Sequence, residues 1–210
     1  MKITAKQGRG TKIHISIDGE YLLTVDSDFW FSCGYVSGDD INENELAAFK
    51  DAAGSRCAFN SAMYSLDLRD HSEKELRLKL MRKFDSQYVE EAINKLLELG
   101  LLDDRRFAEN FAQELFTHKK YGKHRIKSEL FIRGISSDIV SDVLDELFEY
   151  EDTDNVQRIV DIIRKKYYNK LNDENGRKKV FAAMTRMGYS FSDIREALHQ
   201  FSDDDFYEEF

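Results

Sequence analysis

Apolar and polar residues alternate over the first part of the chain, where it reads TKIHISIDGEYLLTV. A period of two is typical of half-buried strands, and it predicts a β-hairpin that turns near Gly19. A two-residue loop would place Ile17 opposite Glu20 and mix the apolar and polar faces. A three-residue loop that ends at Gly19 would instead place Ile15 opposite Tyr21, so we predict the three-residue loop.

The hairpin needs a second element to cover its apolar face, because an isolated hairpin is at best marginally stable in water. Residues 29–36, FWFSCGYV, supply aromatic side chains for that contact. INENELAAF follows, and its Asn42-x-x-Glu45 spacing predicts a helix start. We predict that residues 1–56 form an accessory docking or capping module.

From residue 57 onward the apolar positions recur every three to four residues, and the chain repeats itself three times. The three copies are ELRLKLMRKFDSQYVEEAINKL (75–96), RIKSELFIRGISSDIVSDVLDEL (125–147) and KVFAAMTRMGYSFSDIREALHQF (179–201). A further amphipathic segment precedes each copy: AFNSAMYSLDLR, RFAENFAQELF and VQRIVDIIRKKYY. This pattern predicts nine helices in three three-helix units.

The predicted fold class is mainly α, with three tandem three-helix repeats that form an elongated, curved body behind a small N-terminal β-hairpin module. Stacked repeats contact mainly their neighbours, so we expect function on the concave face of such a body. The predicted divisions are the N-terminal module at 1–56, repeat 1 at 57–102, repeat 2 at 103–150, repeat 3 at 151–203 and an acidic tail at 204–210.

Composition narrows the class of protein further. Hydrophobic residues make up 41% of the chain, enough for a core, and charged residues make up 34%, above the roughly 25% of an average protein. No run approaches the ~18 apolar residues of a membrane span, and the N-terminus has no signal-peptide apolar region. Cys33 and Cys57 are the only cysteines, so we expect no disulfide framework, no zinc site and a reduced, cytoplasmic location.

The chain concentrates positive charge in one short segment, although its formal net charge is -9. This basic run, residues 117–127, reads THKKYGKHRIK and contains five lysines and arginines and no acid. Lys119 and Lys120 follow a predicted helix, whose dipole favours cations at that end. The other three cations begin the next helix, where positive charge is unfavourable, so we infer a functional role for them.

Basic residues recur near the matching junctions of the other repeats, and equivalent positions of a repeat array tend to line one side. We predict that these residues form one discontinuous basic track that binds phosphate groups or an acidic protein surface. The candidate binding residues are Lys119, Lys120, Lys123, Arg125, Lys127, Arg133, Arg77, Lys79, Arg82, Arg164, Lys165 and Lys166.

Motifs of catalysis are missing from the sequence, which contains no GxxxxGK[ST] phosphate loop, HExxH, CxxC or GxSxG. His118 and His124 lie six residues apart and share no helix face. The acid pairs that begin at Asp39 and Asp103 fit turns and helix caps better than a metal site. We predict a protein that is not an enzyme and that needs no metal or cofactor.

Residues 102–136, LDDRRFAENFAQELFTHKKYGKHRIKSELFIRGIS, resemble the RecX family, the bacterial regulators of the recombinase RecA. The resemblance covers about residues 60–200 and includes SEKELRLKLMRKF before this segment and IVSDVLDEL after it. The sequence departs from the family at two helix starts where prolines are common, because it has Asp70-His71 at one and Lys123 at the other. The resemblance implies an all-helical, three-repeat protein without catalysis.

The resemblance also implies a partner, the RecA filament on single-stranded DNA. We expect the protein to act as a monomer without membrane contact, to lie in the filament groove, and to lower filament growth, ATP turnover and strand exchange. Its own binding to single- or double-stranded DNA is expected to be weak. The sequence leaves open a supportive effect on the filament, and it leaves open the alternative of a helix-turn-helix DNA-binding repressor.

Overall fold

The structure, a computed structural model of the chain, describes residues 1–150 and 154–203. The backbone divides into two compact units, Met1–Leu102 and the part of the chain from Asp103 onward. The predicted acidic tail, 204–210, lies outside the described residues. Secondary structure is mainly helical, as predicted, with a small antiparallel sheet at the N-terminus.

The N-terminal sheet contains three antiparallel strands in chain order: β1 (Ile3–Gln7), β2 (Lys12–Ile17) and β3 (Glu20–Asp26). The alternating pattern predicts only the β2–β3 hairpin, and β1 is an additional strand. Its five residues, ITAKQ, contain too few apolar positions to show a period of two. Pairing with β2 therefore defines this strand more than its own sequence does.

The predicted three-residue hairpin loop is wrong. Ile17 lies opposite Glu20, and the two residues between them turn with φ of 49° and 89°. A β-bulge after Ile15 then shifts the register by one residue, so that Ile15 pairs with Leu23. The bulge restores the apolar face that a regular two-residue hairpin would have mixed with polar positions.

The sheet packs its apolar face against the two helices that follow, α1 (Ser27–Ser32) and α2 (Glu43–Leu68). Trp30 and Phe49 from these helices join the sheet residues in one core, as the aromatic segment predicts. Helix α2 begins after Asn42, as predicted, and Asn42 forms a capping box with Glu45. The helix then runs through the boundary that we predict after residue 56, so the N-terminal module and repeat 1 share one helix and one compact unit.

Nine helices among the described residues form three three-helix units, as predicted. The units are α2 with α3 (Glu73–Leu80) and α4 (Ser86–Glu98); α5 (Asp104–Thr117), α6 (Lys123–Ile132) and α7 (Ser137–Tyr150); and α8 (Asn155–Lys166), α9 (Glu174–Arg186) and α10 (Phe191–Asp203). Each unit has its own buried core. Leu76, Ile126 and Val180, which the repeat alignment makes equivalent, are all fully buried.

Capping side chains begin many of these helices, in a chain that has no proline. Ser72, Asp103, Asp154 and Asp173 each precede a helix, and each side chain accepts a hydrogen bond from a backbone N–H of the first turn. Such a cap contributes about 1 kcal/mol to stability. The acid pair that begins at Asp103 therefore has the structural role expected from the sequence.

Repeats 2 and 3 are joined by backbone contacts. The Gly122 N–H donates to the Met187 carbonyl at 2.8 Å, and the His124 N–H donates to the Gly188 carbonyl at 3.2 Å. The approach is so close that a Cβ atom on Gly188 would lie 2.2 Å from the Arg125 backbone nitrogen. Gly188 also has φ of 90°, a value that favours glycine. The loop between α9 and α10 thus fixes the start of α6.

We expect Gly188→Ala to destabilise the protein by about 3 kcal/mol or more, because the added methyl group strains the left-handed backbone and collides with the start of α6. Gly100→Ala is the matched control, since Gly100 has φ of 64° but no neighbour within 4 Å of an added Cβ. The control should cost about 1–2 kcal/mol. Urea unfolding measures both changes, and equal costs would contradict the close approach.

Asp26 ties the sheet to α2, and its ionisation stabilises the N-terminal unit. Its carboxylate accepts a hydrogen bond from the Phe29 N–H and pairs with Arg56 at 3.0 Å. Burial by itself would raise the pKa of Asp26, but these partners outweigh burial and lower the pKa below its ordinary value of 3.8. The stabilisation is therefore present above about pH 4 and is lost as the pH falls through the lowered pKa.

We expect the loss of folding stability between about pH 4 and pH 2 to be smaller for Asp26→Asn than for the unchanged chain. Asp67→Asn is the control, because Asp67 is an exposed residue of the same helix, and it should leave the pH profile unchanged. Denaturant unfolding followed by circular dichroism at each pH gives the profile. If all three proteins lost stability equally, Asp26 would have no part in the acid response.

Candidate functional site

The loop after α5 carries the first cations of the basic run. Lys119 and Lys120 are exposed and follow His118, the C-cap residue of α5. Lys120 has φ of 58°, and its carbonyl accepts a hydrogen bond from the Tyr189 hydroxyl at 2.8 Å. Repeat 3 therefore holds this loop in place while the two lysine side chains extend into solvent.

The remaining cations of the basic run lie in the first turns of α6, which begins after Gly122 without a side-chain cap. Lys123 pairs with Asp145 of α7 at 2.8 Å and lowers the pKa of that carboxyl group. Arg125 pairs with Glu129 at 2.6 Å. These carboxylates offset part of the unfavourable positive charge at the start of α6. The cations therefore destabilise this helix less than the sequence alone indicates.

Aromatic and apolar side chains accompany the cations of α6. The Lys127 ammonium lies 5.8 Å from the centre of the Phe131 ring, and the Arg125 guanidinium lies 5.7 Å from the Tyr121 ring. Phe131 and Ile132 are 41% and 65% exposed. Cations beside aromatic faces are suited to phosphate groups and to unstacked nucleobases.

Two of the predicted site residues are engaged in ion pairs that serve the fold. Arg133 pairs with Glu129 at 2.7 Å, and its guanidinium lies 4.0 Å from the centre of the Phe111 ring. Arg77 pairs with Glu90 of α4. Both arginine side chains are only about a quarter exposed, so they offer little surface to a partner.

Lys79 and Arg82 are the other candidates in repeat 1, and both are exposed. The Lys79 ammonium lies 3.4 Å from Nε2 of His71. Burial lowers the pKa of His71, which keeps the ring neutral at pH 7 and able to accept a hydrogen bond from the lysine. Lys79 is thus drawn toward the α2–α3 loop, whereas Arg82 extends from the end of α3.

Arg158, at the start of α8, holds the junction between repeats 2 and 3, and the sequence analysis missed it. Its guanidinium lies 3.6 Å from the centre of the Phe116 ring and donates to the Phe116 carbonyl at 2.9 Å. That carbonyl belongs to the last turn of α5, where the helix dipole favours a cation. Burial raises the pKa of the neighbouring Tyr189, and Arg158 opposes that rise. The sequence feature that could have identified Arg158 is its place between the apolar positions Val156 and Ile159.

The three candidates of repeat 3 occupy the last turn of α8, where the helix dipole favours cations. Arg164, Lys165 and Lys166 are all exposed. They lie about 9–12 Å along the helix axis from Arg158, at a rise of 1.5 Å per residue. The structure thus places them at the far end of α8 from the junction that holds the basic run.

Positive and negative charges are segregated by helix within the three-helix units. Lysines and arginines outnumber acids in the middle helices, by three to two in α3, three to one in α6 and four to one in α9. The third helices are the reverse: α7 carries five carboxylates and no lysine or arginine, and α4 and α10 each carry three acids and one base. Each unit therefore combines a basic middle helix with an acidic third helix.

Within residues 1–150 and 154–203, no group of three or more His, Cys, Asp or Glu side chains could hold a metal ion. In the same part of the chain, no helix has the length and apolar character that crossing a membrane requires. Cys33 and Cys57 are free thiols, and burial raises the pKa of each.

Comparison with known proteins places the helical units in one family. The family model described as the first three-helix domain of RecX matches residues 58–96, and the model described as the second three-helix domain of RecX matches residues 103–144. A crystal structure of RecX from Lactobacillus salivarius is similar with a TM-score of 0.61 and 26% identity, over 72% of this chain and 98% of that one. A second crystal structure, of a regulatory protein RecX, is similar with a TM-score of 0.67 and 21% identity. This match covers 95% of this chain and 97% of that one, so the likeness of fold extends to the N-terminal sheet.

Curated relatives agree with these matches. A regulatory protein RecX from Chlorobium phaeobacteroides is 37% identical over 145 residues, which cover 68% of this chain and 92% of the relative. One from Clostridioides difficile is 25% identical over 210 residues, which cover 99% of this chain and 97% of the relative. One from Prosthecochloris aestuarii is 31% identical over 70% of this chain and 94% of its own length. The chain therefore belongs to the RecX family of regulatory proteins.

Proposed function

We propose that this protein binds the recombinase RecA and its filament on single-stranded DNA, and that it lowers filament growth, ATP hydrolysis and strand exchange. Membership of the RecX family supports the choice of partner, since its relatives are named regulatory proteins. The chain itself performs no catalysis in this proposal and needs no cofactor. It acts in the cytoplasm, where the recombinase filament forms.

One observation carries the proposal: in an acidic chain, lysines and arginines outnumber acids on α3, α6 and α9, and two more lysines lie in the loop before α6. A filament of recombinase on DNA offers both phosphate groups and acidic protein surface to such cations. Lysines that neutralise phosphates release bound counterions, so this contact weakens steeply as salt rises. Complementary charge across a protein interface sets orientation and association rate more than affinity.

Several weak contacts suit a regulator that must also leave the filament. An exposed lysine paired with a carboxylate is worth about 0.2–1 kcal/mol, so one basic helix alone would bind weakly. Cations on successive three-helix units of one chain act together, because the first contact raises the effective concentration of the next. The protein thereby gains affinity for a repeating partner without any single tight site.

The alternative, a helix-turn-helix repressor, requires a recognition helix that enters the major groove. In a three-helix unit that role falls to the third helix. The five carboxylates of α7 would instead be repelled by the DNA backbone, and α4 and α10 also carry more acids than bases. The charge of the third helices therefore favours the filament regulator.

We expect the variant Lys119→Gln/Lys120→Gln/Lys127→Gln to bind the recombinase filament about tenfold more weakly at 0.1 M salt, since three exposed charge contacts are lost. Its inhibition of the recombinase ATPase on single-stranded DNA should fall in parallel. Fluorescence anisotropy with labelled protein measures binding, and a coupled assay measures ATP hydrolysis. Circular dichroism should be unchanged, because these side chains are exposed.

The matched control is Lys6→Gln/Lys12→Gln/Lys50→Gln, which removes three exposed lysines of the N-terminal unit and changes the net charge equally. We expect this control to bind within about twofold of the unchanged chain. Equal weakening in both variants would assign binding to net charge alone. Unchanged binding and inhibition in the first variant would remove the basic run from the mechanism.

A further inference from the structure

A groove of about 630 Å³ lies between α5 and α7 of repeat 2. Its lining residues are Glu109 and Gln113 of α5 and Val143, Glu146, Leu147 and Glu149 of α7. Val143 and Leu147 lie one helical turn apart and form the apolar floor of the groove, where Val143 is buried in the core of repeat 2 and Leu147 is half-buried. The volume is in the range of sites that enclose a small ligand or several side chains.

Carboxylates surround this apolar floor. Glu109 and Glu146 approach each other closely enough for Arg105 to bridge them, at 3.0 Å and 2.6 Å. Arg105 also pairs with Asp142 at 3.2 Å, and Glu149 lies one turn beyond Glu146. One guanidinium therefore pairs with three carboxylates, and with Glu149 the rim carries three negative charges in excess.

We infer that this α5–α7 groove binds a short, basic, amphipathic segment of a protein partner. Apolar side chains of the segment contact the half-buried Leu147, and its lysines or arginines contact the glutamates of the rim. Arg105 already demonstrates the chemistry, because its guanidinium joins the two helices through their carboxylates. Nothing in the binding of RecA by the basic run requires this groove, so the inference goes beyond the proposed function.

The lining residues set the length of the bound segment. They span five residues of α5 and seven residues of α7, and the four and six rises between their ends correspond to about 6 Å and 9 Å along the helix axes. Two turns of a helix cover about 11 Å and place side chains at positions i, i+3 and i+4 on one face. A helical segment of two to three turns, with one or two apolar anchors between basic residues, therefore fills the groove.

The same charges separate the groove from the basic run and disfavour nucleic acid as its occupant. Asp145 turns toward α6, where it pairs with Lys123. Glu146 follows it in the sequence and is rotated by about 100° around the helix axis, into the groove. Phosphate groups would meet an excess of negative charge there, whereas a cationic peptide would gain complementary contacts. Helix α7 thus lies between the acidic groove and the cations of α6.

The test uses the full chain and a fluorescein-labelled synthetic peptide, LKKLLKLLKKLLKL, as the basic amphipathic probe. Fluorescence anisotropy at 0.15 M salt measures its dissociation constant, and amide chemical shifts of the isotopically labelled protein locate it. We expect the largest shifts at α5 and α7 around the groove. A second peptide with every lysine replaced by glutamate should bind at least about tenfold more weakly, since its charges match those of the rim.

Two variants test the two halves of the inference. Leu147→Asn removes the apolar contact, and Glu146→Gln/Glu149→Gln removes two charges from the rim; each should weaken binding of the basic peptide about fivefold. The matched control is Glu98→Gln/Glu114→Gln, two exposed glutamates outside the groove whose loss changes the net charge equally. This control should bind within about twofold of the unchanged chain. Circular dichroism on each variant identifies any loss of fold.

Three outcomes would overturn the inference. Equal weakening in the groove variants and in the control would mean that the peptide responds only to net charge. Chemical shifts centred away from α5 and α7 would place its site elsewhere. Self-association that the groove variants abolish would mean that the occupant is a second copy of this chain, through the exposed Phe131 and Ile132 beside Lys127 on α6.

Discussion

The contact on which the candidate site depends is the close approach of two backbone segments at Gly122 and Gly188. Neither segment has room for a side chain at this point, and the hydrogen bonds between them join the start of α6 to the loop before α10. The Tyr189 hydroxyl then holds the carbonyl of Lys120 in the preceding loop. A flexible loop of lysines would lose conformational entropy on binding, whereas this one is already ordered by repeat 3. The position of these lysines thus depends on hydrogen bonds between uncharged groups.

Segregation of charge by helix lets an acidic protein present basic surface. Each acid on a third helix can compensate a cation of the middle helix beside it, as Asp145 does for Lys123, or it can extend outward and repel phosphates. Lys127 of the middle helix faces solvent beside the Phe131 ring. The net charge of the chain therefore does not indicate the local charge of a given surface. The fold separates positive from negative side chains over the width of a single three-helix unit.

The sequence predicts the helical units well because their cores repeat. Leu80, Leu130 and Met184 are apolar in every copy and are fully buried or nearly so, and the capping residues mark where helices begin. The sequence predicts structure less well where pairing with a distant segment determines the conformation. Strand β1 depends on its pairing with β2, and the hairpin register depends on a bulge that no local signal specifies. The same limit applies to the site: Arg133 looks like any other cation of the basic segment until Glu129 and the Phe111 ring are brought next to it.

Some cations stabilise the fold and others face solvent. Which of the two a cation does depends on whether a carboxylate of the same chain lies next to it. An arginine whose acid is on the same helix or on the next helix of its unit forms its pair without a partner protein, as Arg77 does with Glu90. Exchanging that acid for a phosphate would gain little, since one charge contact replaces another and the freed glutamate must be solvated. Lysines in the loop after α5 extend from a backbone fixed by other residues, so a phosphate or an acidic surface adds a contact rather than replacing one. The cations available to a partner in such a fold are therefore those that the neighbouring acidic helix leaves uncompensated, wherever basic residues occur in the sequence.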